Sequence, residues 1–240
     1  MKALRRRSRV SISIAILVSL LMSFFVTPAP VFATGAPMTL TYDLTEGDKR
    51  VEFALRGTVA VTIDWGDGNS DTYTQQTDVW HEYATAGSHT ISITGTLTQF
   101  GNGWQWYRNM QNLVAVGSWG DLGLVSLNGA FVGAQRLSDL PATLPSTVTS
   151  LQMTFGLASN LDSDISSWNT ANVTNMSHML RENGNFNANY LNNWNTSNVT
   201  DMSWMFYGAG SFNQDISGWN TASVTNMESM FSHAHSFNQD

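Results

Sequence analysis

Four oxygen-bearing side chains stand at calcium-loop spacing in this sequence. Asp67, Asn69, Asp71 and Asp78 occupy positions 1, 3, 5 and 12 of a run that opens on "DGNSD". Hard cations take such ligands, but the loop should carry Gly at its sixth position and a bidentate Glu at its twelfth. Here Thr72 and Asp78 stand there. The same residues also read as a glycine-rich turn whose Asp and Asn side chains cap main-chain amides, and the two departures favour that reading. The five histidines are His81, His89, His178, His233 and His235, and His233-Ala-His235 is a metal-like pair without a neighbour to complete it. Acids pair up at Asp64 and Asp67 and at Asp162 and Asp164, yet no nucleophile and base are spaced to act together. Cysteine is absent, as are G-x-S-x-G and H-E-x-x-H. The expectation is a non-catalytic chain without a cofactor.

Aromatic residues offer the other chemistry. Trp204 and Tyr207 stand where neighbouring copies of a repeated stretch carry His178, Glu182, Glu228 and His233. Side chains that vary on a regular scaffold are where specificity is placed, so these two form the candidate ligand surface. "FGNGWQWYRNM" (100–110) holds Trp104, Trp106 and Tyr107. Exposed, these rings would make a sugar or peptide platform. The favoured expectation is that they seal the first turn of the repeat region, because an open stack end must be covered.

Two kinds of element position these groups. Residues 37–97 contain "MTLTYDL", "KRVEFAL", "TVAVTIDW" and "HTISITGTL", each alternating apolar with polar and separated by Gly-rich turns. That pattern predicts short antiparallel strands in a β-sandwich. Beyond residue 100 the period changes. Leu113, Leu137, Leu161, Phe186, Phe212 and Phe237 recur at intervals of 24, 24, 25, 26 and 25. Trp168, Trp194 and Trp219 make a second column and Val148, Val173, Val199 and Val224 a third. A constant period in the twenties signifies a solenoid of the leucine-rich-repeat kind.

In "TNMSHML", "TDMSWMF" and "TNMESMF", residues at i, i+3 and i+4 are apolar, beginning at Met176, Met202 and Met227. This predicts short helices capped by Thr174, Thr200 and Thr225, the last in a capping box with Glu228. Strands are expected before each Trp, in "SDISSW", "YLNNW" and "QDISGW". Asn169, Asn195 and Asn220 are expected to satisfy main-chain groups at the bends. One extra residue between Phe186 and Trp194 should form a local bulge.

The N-terminus reads as an export signal: Lys2, Arg5, Arg6, Arg7 and Arg9, then "VSISIAILVSLLMSFFV", then Val31-Phe32-Ala33. Cleavage between Ala33 and Thr34 is expected. Removing those five cations leaves six against eighteen acids, a net charge of −12. That balance argues against nucleic acid and anionic lipid as partners. No membrane insertion is expected after cleavage.

Two resemblances follow from these residues. Val61-Thr-Ile-Asp64-Trp65-Gly66-Asp67-Gly68, then His81-Glu-Tyr83, then Gly87 to Ile93 resemble the PKD domain. That family has a W-D-F-G-D-G-like turn followed by H-x-Y; the order here is Asp-Trp-Gly-Asp-Gly. The resemblance implies an Ig-like sandwich serving as an extracellular spacer or adhesion module, with His81 packed under the turn. "FNQDISGWNTASVTNMESMF" and its copies over 161–240 are similar to the BspA-type leucine-rich repeats of bacterial surface proteins. Over 104–160 only the apolar skeleton persists, as in "LVSLNGAF" and "VTSLQMTF". This similarity implies adhesion to a protein or glycan.

The expected organisation is a signal peptide (1–33), a PKD-like sandwich (34–98) and an α/β leucine-rich-repeat solenoid (99–240). The last copy stops at Phe237-Asn-Gln-Asp240, so further repeats, a cap and an anchor are expected beyond it. The expected function is non-catalytic binding of an extracellular protein or glycan at a cell surface. The alternatives are spacer modules of a secreted hydrolase, or a structural stalk.

Overall fold

The computed structural model describes residues 35–239 other than 106, 108, 109 and 162. The export signal and the Ala33–Thr34 cleavage point therefore lie outside the described residues. Six strands come first: β1 (Met38–Leu44), β2 (Arg50–Asp64), β3 (Ser70–Tyr73), β4 (Thr77–Glu82), β5 (Gly87–Phe100) and β6 (Leu113–Trp119). They form one antiparallel network in the order β3-β2-β5-β1-β6, with β4 also on β2. The alternation in sequence becomes the burial pattern. Met38, Leu40, Tyr42 and Leu44 point inward from β1, and Val51, Phe53, Leu55, Val59, Val61 and Ile63 from β2.

β2 folds back on itself. The Phe53 and Trp65 rings are 6.0 Å apart, although a straight strand would separate residues 53 and 65 by about 40 Å. The fold-back falls at Gly57-Thr58, where the register with β5 slips between Arg56 and Val59. Gly57 has φ of +68°, and a Cβ there would lie 2.2 Å from Thr98 Oγ1. One arm of β2 pairs with β4 and the other with β3, while β5 follows β2 through the corner and pairs with both arms. The sheet also extends past residue 98. β6 pairs with β1, setting Tyr42 opposite Leu113. Leu113, the first landmark of the long period, is thus a sheet residue.

A stack of turns then grows directly from β5. Gln99 bridges in parallel to Ser126, and the ladder continues through Ser150, Asn175, Asp201 and Asn226. Each rung is a single residue. The strands expected before each Trp do not form; the rungs at Ser150, Asn175, Asp201 and Asn226 each follow a Thr instead.

The short capped helices do not form either. Residues 176–182 and their equivalents are consecutive turns with two left-handed positions per copy, His178 and Glu182 in one and Trp204 and Gly208 in the next. Within this segment, one amide closes a turn and the next donates to the following copy. Met179 N–H bonds Met176 O at 3.2 Å, while Leu180 N–H bonds Met205 O at 3.0 Å. A helix of under two turns is a poor nucleus alone, and the bonds between copies replace it. The apolar i, i+3, i+4 face survives: Met176, Met179, Leu180, Met202, Met205 and Phe206 are all buried. Met227 is 45% exposed.

The expected Thr caps have another role. Thr174, Thr200 and Thr225 hydroxyls donate to Thr149, Thr174 and Thr200 carbonyls of the preceding copy at 3.1–3.2 Å. Glu228 is no capping-box partner; its amide donates to Asn226 Oδ1 at 3.1 Å. The indoles of Trp168, Trp194 and Trp219 likewise reach back, to Pro141, Ile165 and Leu191 carbonyls. Asn169, Asn195 and Asn220 do close the bends, each Oδ1 accepting the amide two residues on. In the Phe-Asn-Gln-Asp stretch, Asn187 Oδ1 accepts both Asn213 N–H and the Gln214 side chain at 2.9 Å. The extra residue before Trp194 forms a 3-10 turn, Leu191–Asn193.

Leu161, Phe186, Phe212, Trp168, Trp194 and Trp219 are buried, with Phe237 packed against them. One ring column crosses from sheet to stack: Phe53 to Phe100 at 5.3 Å, Phe100 to Phe131 at 5.9 Å, Phe131 to Phe155 at 5.8 Å. Sheet and stack share one hydrophobic core.

Candidate functional site

The residues of the calcium-like run are separated and committed. Trp65 N–H bonds Asn69 O, closing the turn, and Asp64 Oδ1 accepts Gly66 N–H. Asp67 accepts Asn69 N–H at 3.0 Å and His81 Nε2 at 2.7 Å. Desolvation pushes the Asp67 carboxyl upward, but the bonds from His81 and Asn69 together hold it below the ordinary value. Asp71 accepts the Trp65 indole N–H at 2.8 Å. Asp78 pairs with Arg56 and accepts the Tyr107 hydroxyl. Asp71 lies opposite Ile63 and Asp78 opposite Ala54, on the two arms of β2. The run therefore builds a turn and an arm contact, not a cation cradle. Among the described residues no group of three His, Asp or Glu side chains could hold a metal ion, His233 and His235 included.

His81 packs as the turn motif implies. It stacks on Trp65 at 4.7 Å and meets the edge of Tyr83 at the same distance. The Tyr83 hydroxyl donates to Trp65 O at 2.8 Å. Gly66 carries φ of +77°, and a Cβ there would lie 2.4 Å from Thr90 O. This cluster is structural.

The stack face carries something different. In each copy the two left-handed positions recur four residues apart. Glycine holds both in the first, Gly129 and Gly133. Later copies place Met153, Leu157, His178, Glu182, Trp204, Ser229 and His233 there, all with φ between +52° and +63°, and glycine only at Gly208. That conformation costs an ordinary residue about 1–2 kcal/mol. The turn ribbon imposes this conformation in each copy whichever side chain stands there.

One of these side chains, Trp204, joins Trp104 and Tyr207 around Arg181. Its guanidinium carbon lies 5.0 Å from the Trp104 ring, 5.0 Å from Trp204 and 4.6 Å from Tyr207. Trp204 stacks on His178 at 5.8 Å and touches Tyr207 at 4.8 Å; Tyr207 meets His233 edge-on at 5.1 Å. Trp104 meets His178 edge-on at 4.4 Å and is 51% exposed. Burial and the nearby Arg181 charge push His178 down to about 4, with Asp201 opposing. His178 is therefore neutral near pH 7, which lets it sit beside the guanidinium.

Sequence reasoning found Trp204 and Tyr207, weighed Trp104 as a platform but favoured a sealing role for it, and missed Arg181. The aromatic run before the stack splits. Tyr107 is buried, as expected of a sealing ring, while Trp104 reaches out to the face instead. Trp106 is outside the described residues. The clue for Arg181 was available: it is the only Lys or Arg between 137 and 240.

The fold and this face define a β-domain continued by a ladder of stacked turns, with one aromatic and cationic patch on its side. The family described as "Mycoplasma protein of unknown function, DUF285" matches residues 115–240, more than half of the chain, and the chain belongs to it. The PKD domain matches residues 23–106. No curated protein matches the chain. No solved structure matches it either. Among the described residues no helix is long and apolar enough to cross a membrane.

Proposed function

We propose that this is an exported, non-catalytic surface protein that binds an extracellular protein or glycan through the face formed by Trp104, His178, Arg181, Trp204 and Tyr207. The observation that carries the reading is the convergence of three rings, one of them on the left-handed backbone of Trp204, on one guanidinium. Exposed aromatic and Arg side chains are the usual anchors of interfaces. The β-domain matched by the PKD family serves as spacer, and the resemblance to BspA-type surface repeats points the same way.

Binding to a glycan array and a panel of extracellular-matrix proteins tests this. Trp104→Ala and Trp204→Gly are compared with the native chain. Gly is chosen at 204 because it suits the left-handed backbone there. At least tenfold loss with an unchanged far-UV spectrum is expected. Binding that survives both substitutions would remove this face from consideration.

A further inference from the structure

The chemistry around Arg181 narrows the ligand class, and this narrowing rests on the binding reading above. Among the described residues every other Lys or Arg has a carboxylate partner: Lys49 with Glu46, Arg50 with Glu52, Arg56 with Asp78, Arg136 with Asp43. Arg181 has none. Glu182 is adjacent in sequence, but its carboxylate lies over Gly208, where a Cβ would come within 2.7 Å of Oε2.

The rings lie over the guanidinium. They crowd the guanidinium carbon at 4.6–5.0 Å, and the fork of N–H donors is what an acceptor would meet. A planar, two-oxygen acceptor fits that fork best, which is a carboxylate. Beside it the half-exposed Trp104 ring offers a flat apolar surface, the kind that accepts the C–H face of a pyranose. Charge sets the upper limit. Residues 34–240 carry eighteen acids against six cations, so a polyanion would be repelled as a whole. A single carboxylate meets Arg181 locally without that penalty.

We infer that the face recognises a sugar acid, a pyranose bearing one carboxylate, with Arg181 pairing the carboxylate and Trp104 stacking on the ring. The probes are methyl glucuronide, its methyl ester and neutral methyl glucoside, titrated against the chain by ligand-observed NMR. The glucuronide should bind at least tenfold tighter than the ester and the glucoside. Arg181→Gln should reduce that preference to near unity, and Arg181→Lys should restore only part of it. Trp104→Ala should weaken all three sugars together.

Equal binding of glucuronide and glucoside overturns the inference, as does a preference that survives Arg181→Gln. An acetylated peptide with a free C-terminal carboxylate, bound as tightly and with the same Arg181 dependence, overturns the sugar and leaves the carboxylate. If no sugar binds while panel binding still depends on Trp104 and Trp204, the sugar acid is wrong and the binding face stands. If panel binding ignores both tryptophans, the two readings fail together.

Discussion

Gln99, one residue before the end of β5, is bridged in parallel to Ser126, so the sheet is the first rung of the stack. The main chain confirms the join: Phe100 N–H bonds Ser126 O at 3.2 Å and Gly101 N–H bonds Ala54 O at 3.1 Å. The ring column from Phe53 through Phe155 crosses the same junction.

Sheet and stack should therefore unfold as one unit. Far-UV circular dichroism and tryptophan fluorescence are expected to give one coincident transition. Phe100→Ala or Phe131→Ala, each removing a fully buried ring, should lower stability by about 3–5 kcal/mol in both signals. Two separated transitions would show independent domains.

The fold-back of β2 should tolerate only glycine at its corner. Gly57→Ala puts a Cβ against Thr98 Oγ1 in a left-handed backbone. A loss of about 2–3 kcal/mol is expected. Gly47→Ala is the control, because no atom lies within 4 Å of its would-be Cβ. Equal urea midpoints for the two variants would contradict the fold-back.

His178 should make stability depend on acidity. Its folded value is near 4, against an unfolded value of about 6.5. As pH falls below about 6.5, the unfolded chain gains a proton that the folded chain refuses until about 4. Stability is fully present above that window and is lost on going down through it. Partial exposure of the ring limits the effect to roughly 1–2 kcal/mol. Urea midpoints between pH 4 and 7, native against His178→Gln, should converge as pH falls. Parallel curves would refute the assignment.

Calcium should leave the protein unmoved. Asp67, Asp71 and Asp78 are occupied by His81, Trp65, Arg56 and Tyr107, and a cation would have to displace those bonds. The melting midpoint is expected to be the same in millimolar calcium and in chelator. A rise of several degrees with calcium would show a bound ion stabilising the fold.

The sequence by itself determined the alternating strands of the β-domain, the period and the buried columns. Alternation in "MTLTYDL" and recurrence of Phe186, Phe212 and Phe237 follow from burial, which each residue type expresses locally. It also determined the Asp-Trp-Gly-Asp-Gly turn and the Asn bends, whose hydrogen bonds span two residues. Tertiary structure decided the rest, because the deciding contacts lie a whole copy away. The spacing of Met176, Met179 and Leu180 suits a helix or a turn ribbon equally. Only the amides donated to the next copy, such as Leu180 to Met205, select the ribbon. The same holds for the binding face. Trp104 comes from the link between sheet and stack, Arg181 from one copy, Trp204 and Tyr207 from the next. No window of sequence contains them together; stacking at a fixed register brings three rings over one guanidinium.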